Sequence, residues 1–354
     1  MNKLTPLGEL LKTIVSKRAS DLHLSVGQVP MMRVDKTLLP VSKEIIKHDQ
    51  MVNLLKGHLS EEQFKIFENN KEYDFSFGLE GMGRFRVNLY YEQSNIACAI
   101  RALPFEPISF SKIGFPEGLI EGLANKPSGL ILVTGATGSG KTTTLGAMVE
   151  YINTHRACHI VTMEDPIEFV FKSNLSLVHQ REIGSDSKSF ANALKYVLRQ
   201  DPDVILVGEM RDLETIEIAL NVAETGHLVL ATLHTPDAVQ SVNRIIDVFP
   251  AHQQAQVRVQ FSFVLQAVIC QHLLPKKNGG VVMAAEILLA NAAVRSLIRD
   301  SKSHQIYSSI QMGQKEGMKT LNMSLRDLVQ SGTVSKEDAY SHCSDIKELE
   351  KMLG

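Results

Sequence analysis

The sequence predicts an α/β protein, and two observations support that prediction. A short apolar run, Leu130–Val133, is followed at once by a glycine-rich loop and then by a helical pattern. From about residue 117 onward, apolar strands alternate with amphipathic helices, which is typical of a mostly parallel sheet. The residues before that point have a different pattern, with helices and antiparallel strands, and we expect them to form a smaller domain.

Length and composition fit a soluble chain of about two domains. The 354 residues are 44% hydrophobic, which is enough for full cores, and 21% are charged. With a net charge of −2, the chain as a whole lacks the positive charge that proteins use to bind nucleic acid or anionic lipid. We therefore expect no nucleic-acid partner, although local basic patches stay possible.

Cysteine usage and hydropathy indicate a cytoplasmic location. The four cysteines are scattered, without the paired spacing of a zinc site or of a disulfide framework. Met1–Leu11 lacks the continuous apolar core of a signal peptide. No run reaches the roughly 20 apolar residues that span a bilayer, so we expect no direct membrane insertion.

The first hundred residues predict a helix followed by an α+β arrangement. Thr5-Pro6 resembles an N-cap with proline at the first helical position, and Ser20–Leu24 alternates like a strand. A second helix is predicted near Ser60–Asn69, and strands are predicted at Asp74–Phe77 and within Gly83–Leu103.

The strand that begins at Gly83 places two arginines on one face. Phe85, Val87 and Leu89 share the apolar face, while Arg84 and Arg86 share the other. That second face is either solvated and paired locally, or it lies against a nucleotide or a neighbouring subunit. We favour the nucleotide or subunit interpretation, because the following domain carries a polyanion-binding loop.

Prolines and small residues over 104–116 predict a linker. The predicted organisation is an N-terminal domain at 1–103, the linker at 104–116, an α/β core at 117–290 and a helical C-terminal subdomain at 291–354.

The glycine-rich loop has the spacing G-x-x-x-x-G-K-T of a phosphate-binding loop. Its glycines permit backbone angles that turn successive N–H groups towards an anion, and the helix that follows directs its positive N-terminus at the phosphates. Lys141 supplies a charge for the β- and γ-phosphates, and Thr142 supplies a hydroxyl for Mg²⁺. The predicted nucleotide contacts are Gly135, Ala136, Thr137, Gly138, Ser139, Gly140, Lys141, Thr142 and Thr143.

The next predicted strand, His159–Met163, ends in carboxylates. The carboxyl end of such a strand lies where the phosphates bind, and a carboxylate there can orient water for in-line attack on the γ-phosphate. Glu164 is the candidate for that role. The alternative is that Glu164 and Asp165 only cap the turn before Pro166.

A third strand, Asp203–Gly208, leads to Glu209 at the position where a Walker B acid is expected. We expect Glu209 to act on Mg²⁺ through water, because Mg²⁺ keeps several waters. Arg199 and Arg211 flank the strand. Either is an arginine finger for another subunit's γ-phosphate, or both neutralise Asp201, Asp203 or Asp212.

Two histidines, His227 and His234, bracket the fourth predicted strand, Leu228–Thr232. Without thiolate partners they do not suggest a metal site. We expect them to sense the γ-phosphate by hydrogen bonding, the alternative being that both are satisfied at the strand ends. Asp212 is predicted to cap the preceding helix, and Thr235-Pro236 to open the next one.

The remaining chain predicts a long apolar helix that leads into a strand within Ala251–Leu274, and a hairpin turn at Lys276–Gly280. After Asn291 the pattern is helical, with breaks near Gly313–Gly317 and Ser331–Gly332.

Four blocks together resemble the secretion ATPase superfamily, and specifically the PilT-type retraction ATPases of type IV pili. They are GATGSGKTTT (135–144), VTMEDPIEF (161–169), DPDVILVGEMRDLETI (201–216) and AETGHLVLATLHT (223–235). SDLHL (20–24) and GRFRVN (83–88) agree with the same family, and AVRSLIRD (293–300) is similar to its AIRNLIRE motif. That last segment departs from the motif at Val294, Ser296 and Asp300 and keeps Arg295 and Arg299.

This resemblance implies a homohexameric ATPase at the cytoplasmic face of the inner membrane. A PAS-like N-terminal domain would precede a RecA-like P-loop NTPase domain, with Mg-ATP bound between the two. Hydrolysis would move the domains and return pilin subunits from the fibre to the membrane. Glu164 would be the general base, Glu209 the Walker B acid, His227 and His234 the His-box pair, and Arg84 and Arg86 would face the nucleotide.

The resemblance also implies partners, and it leaves alternatives open. The ring would act on an inner-membrane platform protein of the pilus, either alone or together with a paralogous motor. The assembly and export ATPases usually carry a further N-terminal domain and a tetracysteine motif, and their absence from this sequence favours retraction. The alternatives are a PilU-like accessory subunit, an assembly or secretion ATPase and, more distantly, a RecA-like nucleic-acid motor.

Overall fold

The computed structural model describes residues 6–34, 37–79, 82–103, 110–116 and 118–354. The chain divides into two compact units, one of residues 1–106 with 166–170 and one of residues 107–165 with 171–354. Thr5, the predicted N-cap, and the part of the predicted linker at 104–109 lie outside the described residues. Nothing in the sequence indicates that 166–170, just after the predicted strand His159–Met163, belongs with the first unit.

The first unit contains a six-stranded antiparallel sheet in the order β3-β2-β1-β6-β5-β4. Its strands are β1 (Asp21–Ser25), β2 (Met31–Val34), β3 (Thr37–Pro40), β4 (Glu72–Leu79), β5 (Gly83–Glu92) and β6 (Asn95–Ala102). Its helices are α1 (Pro6–Ser16), α2 (His48–Lys56) and α3 (Glu61–Asn70). The predicted helices near residues 6 and 60 and the strands at 20, 74 and 83 are confirmed, whereas α2, β2 and β3 were not predicted.

The alternation in β5 sorts its side chains as the sequence indicates. Phe85, Val87 and Leu89 are fully buried, while Arg86 is exposed. Two residues with positive φ, Gln93 and Ser94, close the hairpin to β6. Such a two-residue turn follows the right-handed twist of the strands it joins.

The second unit contains a seven-stranded sheet in the order β13-β12-β7-β11-β10-β8-β9. Its strands are β7 (Gly129–Thr134), β8 (His159–Glu164), β9 (Leu177–Glu182), β10 (Val204–Val207), β11 (Leu228–Leu233), β12 (Leu265–Pro275) and β13 (Val281–Leu289). Every neighbouring pair is parallel except β12 with β13, which are antiparallel. The predicted α/β class is therefore confirmed, and the unpredicted β9 extends the sheet at one edge.

Helices connect these strands and continue to the C-terminus. They are α4 (Phe110–Ile113), α5 (Leu119–Ala124), α6 (Lys141–His155), α7 (Phe190–Val197), α8 (Leu213–Glu224), α9 (Ala238–Asp247), α10 (Ala251–Val264), α11 (Ala292–Arg299), α12 (Ile306–Met312), α13 (Leu321–Gln330), α14 (Lys336–His342) and α15 (Ile346–Leu353). Short 3₁₀ segments lie at Leu198–Gln200, Ser303–Gln305 and Gly313–Glu316.

Of two predicted helix starts, one is confirmed and one is wrong. The Asp212 side chain accepts a hydrogen bond from the Thr215 N–H and caps α8, as predicted. The prediction that Thr235-Pro236 opens the next helix is wrong. Asp237 is the cap of α9, because its carboxylate accepts from the Gln240 N–H, and Pro236 stays in the preceding loop.

The central parallel strands β7, β11 and β10 are buried on both faces. All six residues of β7 and all six of β11 are buried, which is why these runs carry no polar alternation. Within the described part of the chain, no helix is both long and apolar enough to cross a bilayer.

Candidate nucleotide-binding site

The glycine-rich loop joins the carboxyl end of β7 to the amino end of α6. Gly135, Gly138 and Gly140 all have positive φ, at 136°, 79° and 92°. At Gly135 a Cβ atom would lie 2.4 Å from the Gln271 carbonyl oxygen and 2.6 Å from Ser139 Oγ, so only glycine fits there. The sequence prediction of a tight loop that opens α6 is therefore realised in the backbone.

The polar groups of the loop surround the end of α6. Ala136, Thr137 and Gly138 are exposed, and Thr142 and Thr143 in the first turn of the helix are partly exposed. Ser139 Oγ is buried and has no hydrogen-bond partner among the described residues. An unpartnered buried hydroxyl in a glycine-rich loop at the start of a helix fits an oxyanion ligand such as a phosphate.

Lys141 lies over this loop. Its Nζ donates hydrogen bonds to the carbonyl oxygens of Gly135 at 2.8 Å and Ala136 at 2.9 Å. Burial lowers the pKa of Lys141, and the nearby negative charge of Glu209 opposes that shift. The ammonium group is thus held at the loop and within electrostatic reach of Glu209.

Glu164 is the last residue of β8 and is only 7% exposed. Its Oε1 accepts hydrogen bonds from Thr162 Oγ1 at 2.6 Å and from Gln180 Nε2 at 3.1 Å. The neighbouring strand can approach closely because residue 208 is glycine, where a Cβ would lie 3.0 Å from the Met163 carbonyl oxygen. Glu164 is therefore a carboxylate fixed at the same sheet edge as the loop.

Glu209 follows β10 at the same edge and is bound on two sides. Arg211 donates to both of its carboxylate oxygens, with Nε–Oε1 at 2.5 Å and Nη2–Oε2 at 2.7 Å. His234 Nε2 lies 3.1 Å from Oε1. Burial raises the pKa of Glu209, but the hydrogen bonds and charges of Arg211 and His234 outweigh it and lower that pKa overall.

These contacts change the predicted pairing of Arg211. The sequence offered Asp201, Asp203 or Asp212 as its neutralising partner, whereas the structure pairs it with Glu209. Its side chain is 76% exposed, so much of the guanidinium faces solvent.

Two predicted site residues, His227 and Arg199, lie at the amino ends of the parallel strands, opposite the phosphate loop. We call that side of the sheet the amino edge and the side with the loop the carboxyl edge. The Gly129 N–H at the start of β7 donates to the His227 carbonyl oxygen, whereas the phosphate loop follows the end of β7. A six-residue strand separates these edges by roughly 16 Å. The structure therefore brings His234 to the loop and does not bring His227 there.

Arg199 lies in the 3₁₀ segment before β10, again at the amino edge. Its guanidinium is centred 5.7 Å from the Tyr196 ring. Within this chain the structure does not bring Arg199 to the loop, so its predicted role as a finger would need a second subunit.

Arg84 and Arg86 belong to the first unit. Arg84 hydrogen-bonds to Ser76 Oγ on β4, and Arg86 is exposed on the polar face of β5. Burial raises the pKa of Glu168 in the same unit, and the charges of Arg86 and Arg101 counteract that rise. The arginine face therefore has a carboxylate nearby, and nothing in the sequence around Glu168 indicates this contact.

Sequence reasoning missed two polar residues that support the site. Gln180 lies on β9, whose sequence LVHQRE has neither the apolar run nor the alternation of a predicted strand. Gln271 on β12 donates from Nε2 to Thr144 Oγ1 at 2.7 Å in the first turns of α6. Gln271 could have been noticed in the sequence, because a polar amide within an otherwise apolar strand indicates a buried hydrogen bond.

No cluster of three or more potential metal-ligating side chains occurs among the residues that the structure describes.

Comparison with known proteins reveals close relatives. Residues 3–277 match the family model described as Type II/IV secretion system protein. The chain is 47% identical over 331 residues to the type IV pilus retraction ATPase PilT of Pseudomonas aeruginosa, covering 94% of this chain and 96% of that protein. It is 37% identical over 346 residues to the type IV pilus ATPase PilU of the same organism, covering 98% and 90%. A crystal structure of the pilus retraction motor PilT with bound ADP has 48% identity and a TM-score of 0.92, covering 99% of this chain and all of that one.

Proposed function

The chain belongs to the type II/IV secretion system protein family, and we propose that it is an ATPase that powers the retraction of a type IV pilus. The observation that carries this proposal is the 47% identity to the retraction ATPase PilT over nearly the full length of both proteins. Identity to the paralogous PilU is ten percentage points lower, which favours a retraction motor over an accessory subunit.

Nucleotide binding is assigned to the glycine-rich loop and α6. Backbone N–H groups of 135–140 and the positive end of α6 would hold the β-phosphate, and Lys141 would reach the γ-phosphate. Lys141 is held by two loop carbonyls, which are weak partners that a phosphate can replace. Thr142, in the first turn of α6, is positioned to offer its hydroxyl to Mg²⁺.

Hydrolysis is assigned to the two fixed carboxylates. Glu164 would accept the proton of the attacking water, since it lies at the carboxyl end of β8 and two hydrogen bonds fix its orientation. Glu209 would hold a water of the metal shell and stay ionised because Arg211 and His234 lower its pKa. Mg²⁺, when bound, neutralises charge that develops on the phosphate oxygens.

We further propose that the active form is a homohexamer of chains that each combine a PAS-like domain with a RecA-like domain. In this proposal, Arg84 and Arg86 face the nucleotide, as their motif GRFRVN does in the family that the sequence resembles. Exposed Arg211 and distant Arg199 are the candidates for contacts to a neighbouring subunit's phosphates.

The ring would act at the cytoplasmic face of the inner membrane. Its partner there would be the platform protein of the pilus, with a paralogous motor as a second possible partner. Segment 293–300, with Arg299 exposed, is the candidate for transmitting the work of hydrolysis.

Two experiments test the proposal. Deleting the gene should give cells with excess pili and no surface motility, and complementation with Lys141→Ala should not restore movement. Cells without pili would instead indicate an assembly motor.

In vitro, ATPase activity should not rise when single-stranded DNA is added at low salt, and strong stimulation would support a nucleic-acid motor.

A further inference from the structure

A buried carboxylate on the outer strand of the second sheet has no role in the site described above. Glu286 lies on β13 and is 3% exposed. Its Oε1 accepts a hydrogen bond from the backbone N–H of Ala238, the first residue of α9, at 2.9 Å. The backbone N–H of Leu321, the first residue of α13, lies near enough to this carboxylate to lower its pKa. Glu286 thus meets the N-termini of two helices that are far apart in sequence.

The first of these helices begins where the His234 loop ends. We define the His234 loop as residues His234–Asp237, which connect β11 to α9. Ser241 holds this loop from within α9, since its Oγ lies 2.6 Å from Thr235 Oγ1 and donates to the Asp237 carbonyl oxygen at 2.7 Å. Ser241 Oγ also lies 3.5 Å from Thr134 Oγ1, the last residue before the phosphate loop. The loop that carries His234 is therefore tied to the nucleotide site at one end.

Glu286 ties the other end of this loop to the C-terminal helices. The Ala238 N–H that it binds comes directly after Asp237. The residue next to Glu286, Ile287, pairs with Lys319 through two backbone hydrogen bonds, just ahead of the Thr320 cap of α13. A displacement of α13 would therefore move Glu286 and, through the hydrogen bond to Ala238, the His234 loop.

We propose that Glu286 is a positioning residue that fixes the His234 loop relative to α13, so that the C-terminal helices control the placement of His234 beside Glu209. This inference rests on the proposed ATPase function and adds a route by which events at the C-terminal helices would set the rate of hydrolysis. Glu286 does not touch the reacting groups and acts through Ala238 and the loop.

The charge state of Glu286 supports this role. Burial raises its pKa to about 7, helped by the negative charges of Asp237 and Glu348 and opposed by the N–H groups of Ala238 and Leu321. The thiol of Cys270, its cross-strand partner, faces it from β12 and is itself fully buried. Glu286 therefore ionises as the pH rises through neutrality, and the two helix N-termini are then held by charge-assisted hydrogen bonds.

The test compares Glu286→Ala with Glu286→Gln in the full-length chain. Loss of both acceptors in Glu286→Ala should lower kcat up to about 100-fold at pH 8, because a small misplacement of His234 is costly, while KM for ATP stays near its original value. Glu286→Gln keeps one acceptor oxygen and should recover most of the activity. In Glu286→Gln, the increase of kcat with pH that the wild type shows around pH 7 should also be absent.

Ser335→Ala is the matched control. Ser335 Oγ accepts from the Asp338 N–H at the N-terminus of α14, so this variant also removes a helix-end hydrogen bond, away from the His234 loop. It should lower thermal stability without changing kcat or the pH profile. Glu286→Ala with unchanged kcat, or Glu286→Gln with the pH component intact, would overturn the proposal.

Hydrogen exchange in Glu286→Gln tests the proposal even when Glu286→Ala fails to fold. In Glu286→Gln, amides of the His234 loop and of the first turn of α13 should exchange faster, while those of α14 should not. Uniformly faster exchange would assign Glu286 a general structural role and reject positioning. An unmodified chain that neither binds nor hydrolyses Mg-ATP would refute the ATPase itself, which is a separate outcome.

Discussion

The two edges of the seven-stranded sheet carry similar residue types and use them differently. At the carboxyl edge, Lys141 binds the phosphate loop and lies within electrostatic reach of Glu209, and His234 contacts Glu209. Glu164 ends β8 at the same edge. At the amino edge, His227 and Arg199 lie apart from that loop, although they seemed equally good candidates in the sequence. Strand polarity therefore decides which polar residues can share a site, and residue type alone does not.

The polar groups of the amino edge instead satisfy backbone carbonyls. His227 Nδ1 lies 3.1 Å from the Val222 carbonyl oxygen, at the end of α8. Arg295 Nη1 donates to the carbonyl oxygens of Ser262 at 2.5 Å and Phe263 at 2.6 Å, in the last turn of α10, and its Nε donates to Ala290. Capping of helix ends is a structural function. We therefore expect the carboxyl edge to control hydrolysis and the amino edge to control stability.

The largest expected effect is at Glu164. Glu164→Gln should bind ATP normally and hydrolyse it about 100-fold to 10,000-fold more slowly, as expected when a general base is removed. Nucleotide binding and single-turnover hydrolysis measure the two properties separately. Glu182→Gln on the neighbouring strand is the control, because Glu182 is equally buried at 7% and pairs with Glu164 in register. Near-normal turnover in Glu164→Gln would remove it as the base.

Lys141→Ala should abolish detectable ATP binding and lower kcat/KM about 100-fold to 1000-fold, since it deletes the charge that meets the phosphates. A fluorescent ATP analogue measures the binding. The chain should fold normally, because burial lowers the pKa of Lys141 and its contacts to two loop carbonyls contribute little to stability. Tight binding by this variant would contradict the assignment of the loop.

The histidines compare the two edges directly. His234→Ala should lower kcat about 10-fold to 100-fold, because it removes a hydrogen-bonding partner from the charged Glu209. His227→Ala should leave kcat unchanged and reduce the free energy of unfolding by about 1 kcal/mol, as expected for one hydrogen bond. ATPase assays and urea unfolding on the pair measure both quantities. Equal losses of kcat would show that His227 reaches a nucleotide in the assembled ring.

The sequence predicted the carboxyl edge better than the amino edge for a physical reason. The phosphate loop is a local motif whose glycines, lysine and threonine are adjacent in the chain, so its geometry follows from the backbone. Glu164 and Glu209 follow apolar strands, and that order places them at the right edge. His227 precedes its strand, so the same rule, applied to strand direction, would have placed it at the other edge.

Other features depended on contacts between distant residues. Gln180 supports Glu164 from β9, a strand without a clear pattern, and Glu286 meets Ala238 across 48 positions. Such pairings are set by tertiary packing, which neither propensity nor spacing predicts.

The two arginines of segment 293–300 should separate stability from coupling. Arg295→Ala should lower the free energy of unfolding by about 1.5–3 kcal/mol, because it leaves several carbonyls without a charged donor. Arg299 is exposed, with its guanidinium centred 6.0 Å from the Phe263 ring, so Arg299→Ala should cost less than about 1 kcal/mol. Both should hydrolyse ATP normally once folded. A stable Arg299→Ala that hydrolyses ATP but cannot retract pili would identify Arg299 as the coupling residue.

The smallest effect is a shift in pH dependence, and it distinguishes the two candidate arginine fingers. The pKa of Glu209 is lowered, so the activity and stability that need its ionised form are present above its unfolded pKa of 4.5 and lost as the pH falls through the folded value. Arg211→Ala removes the main group that opposes burial, so the pKa should rise and the acidic limb of the rate profile should move to higher pH. Arg199→Ala at the amino edge should leave that limb in place, since Arg199 contacts Tyr196 and not Glu209. Rate profiles that extend from below pH 4.5 up to pH 8 measure the shift, and a limb that moves equally in both variants would mean that both arginines act on the site.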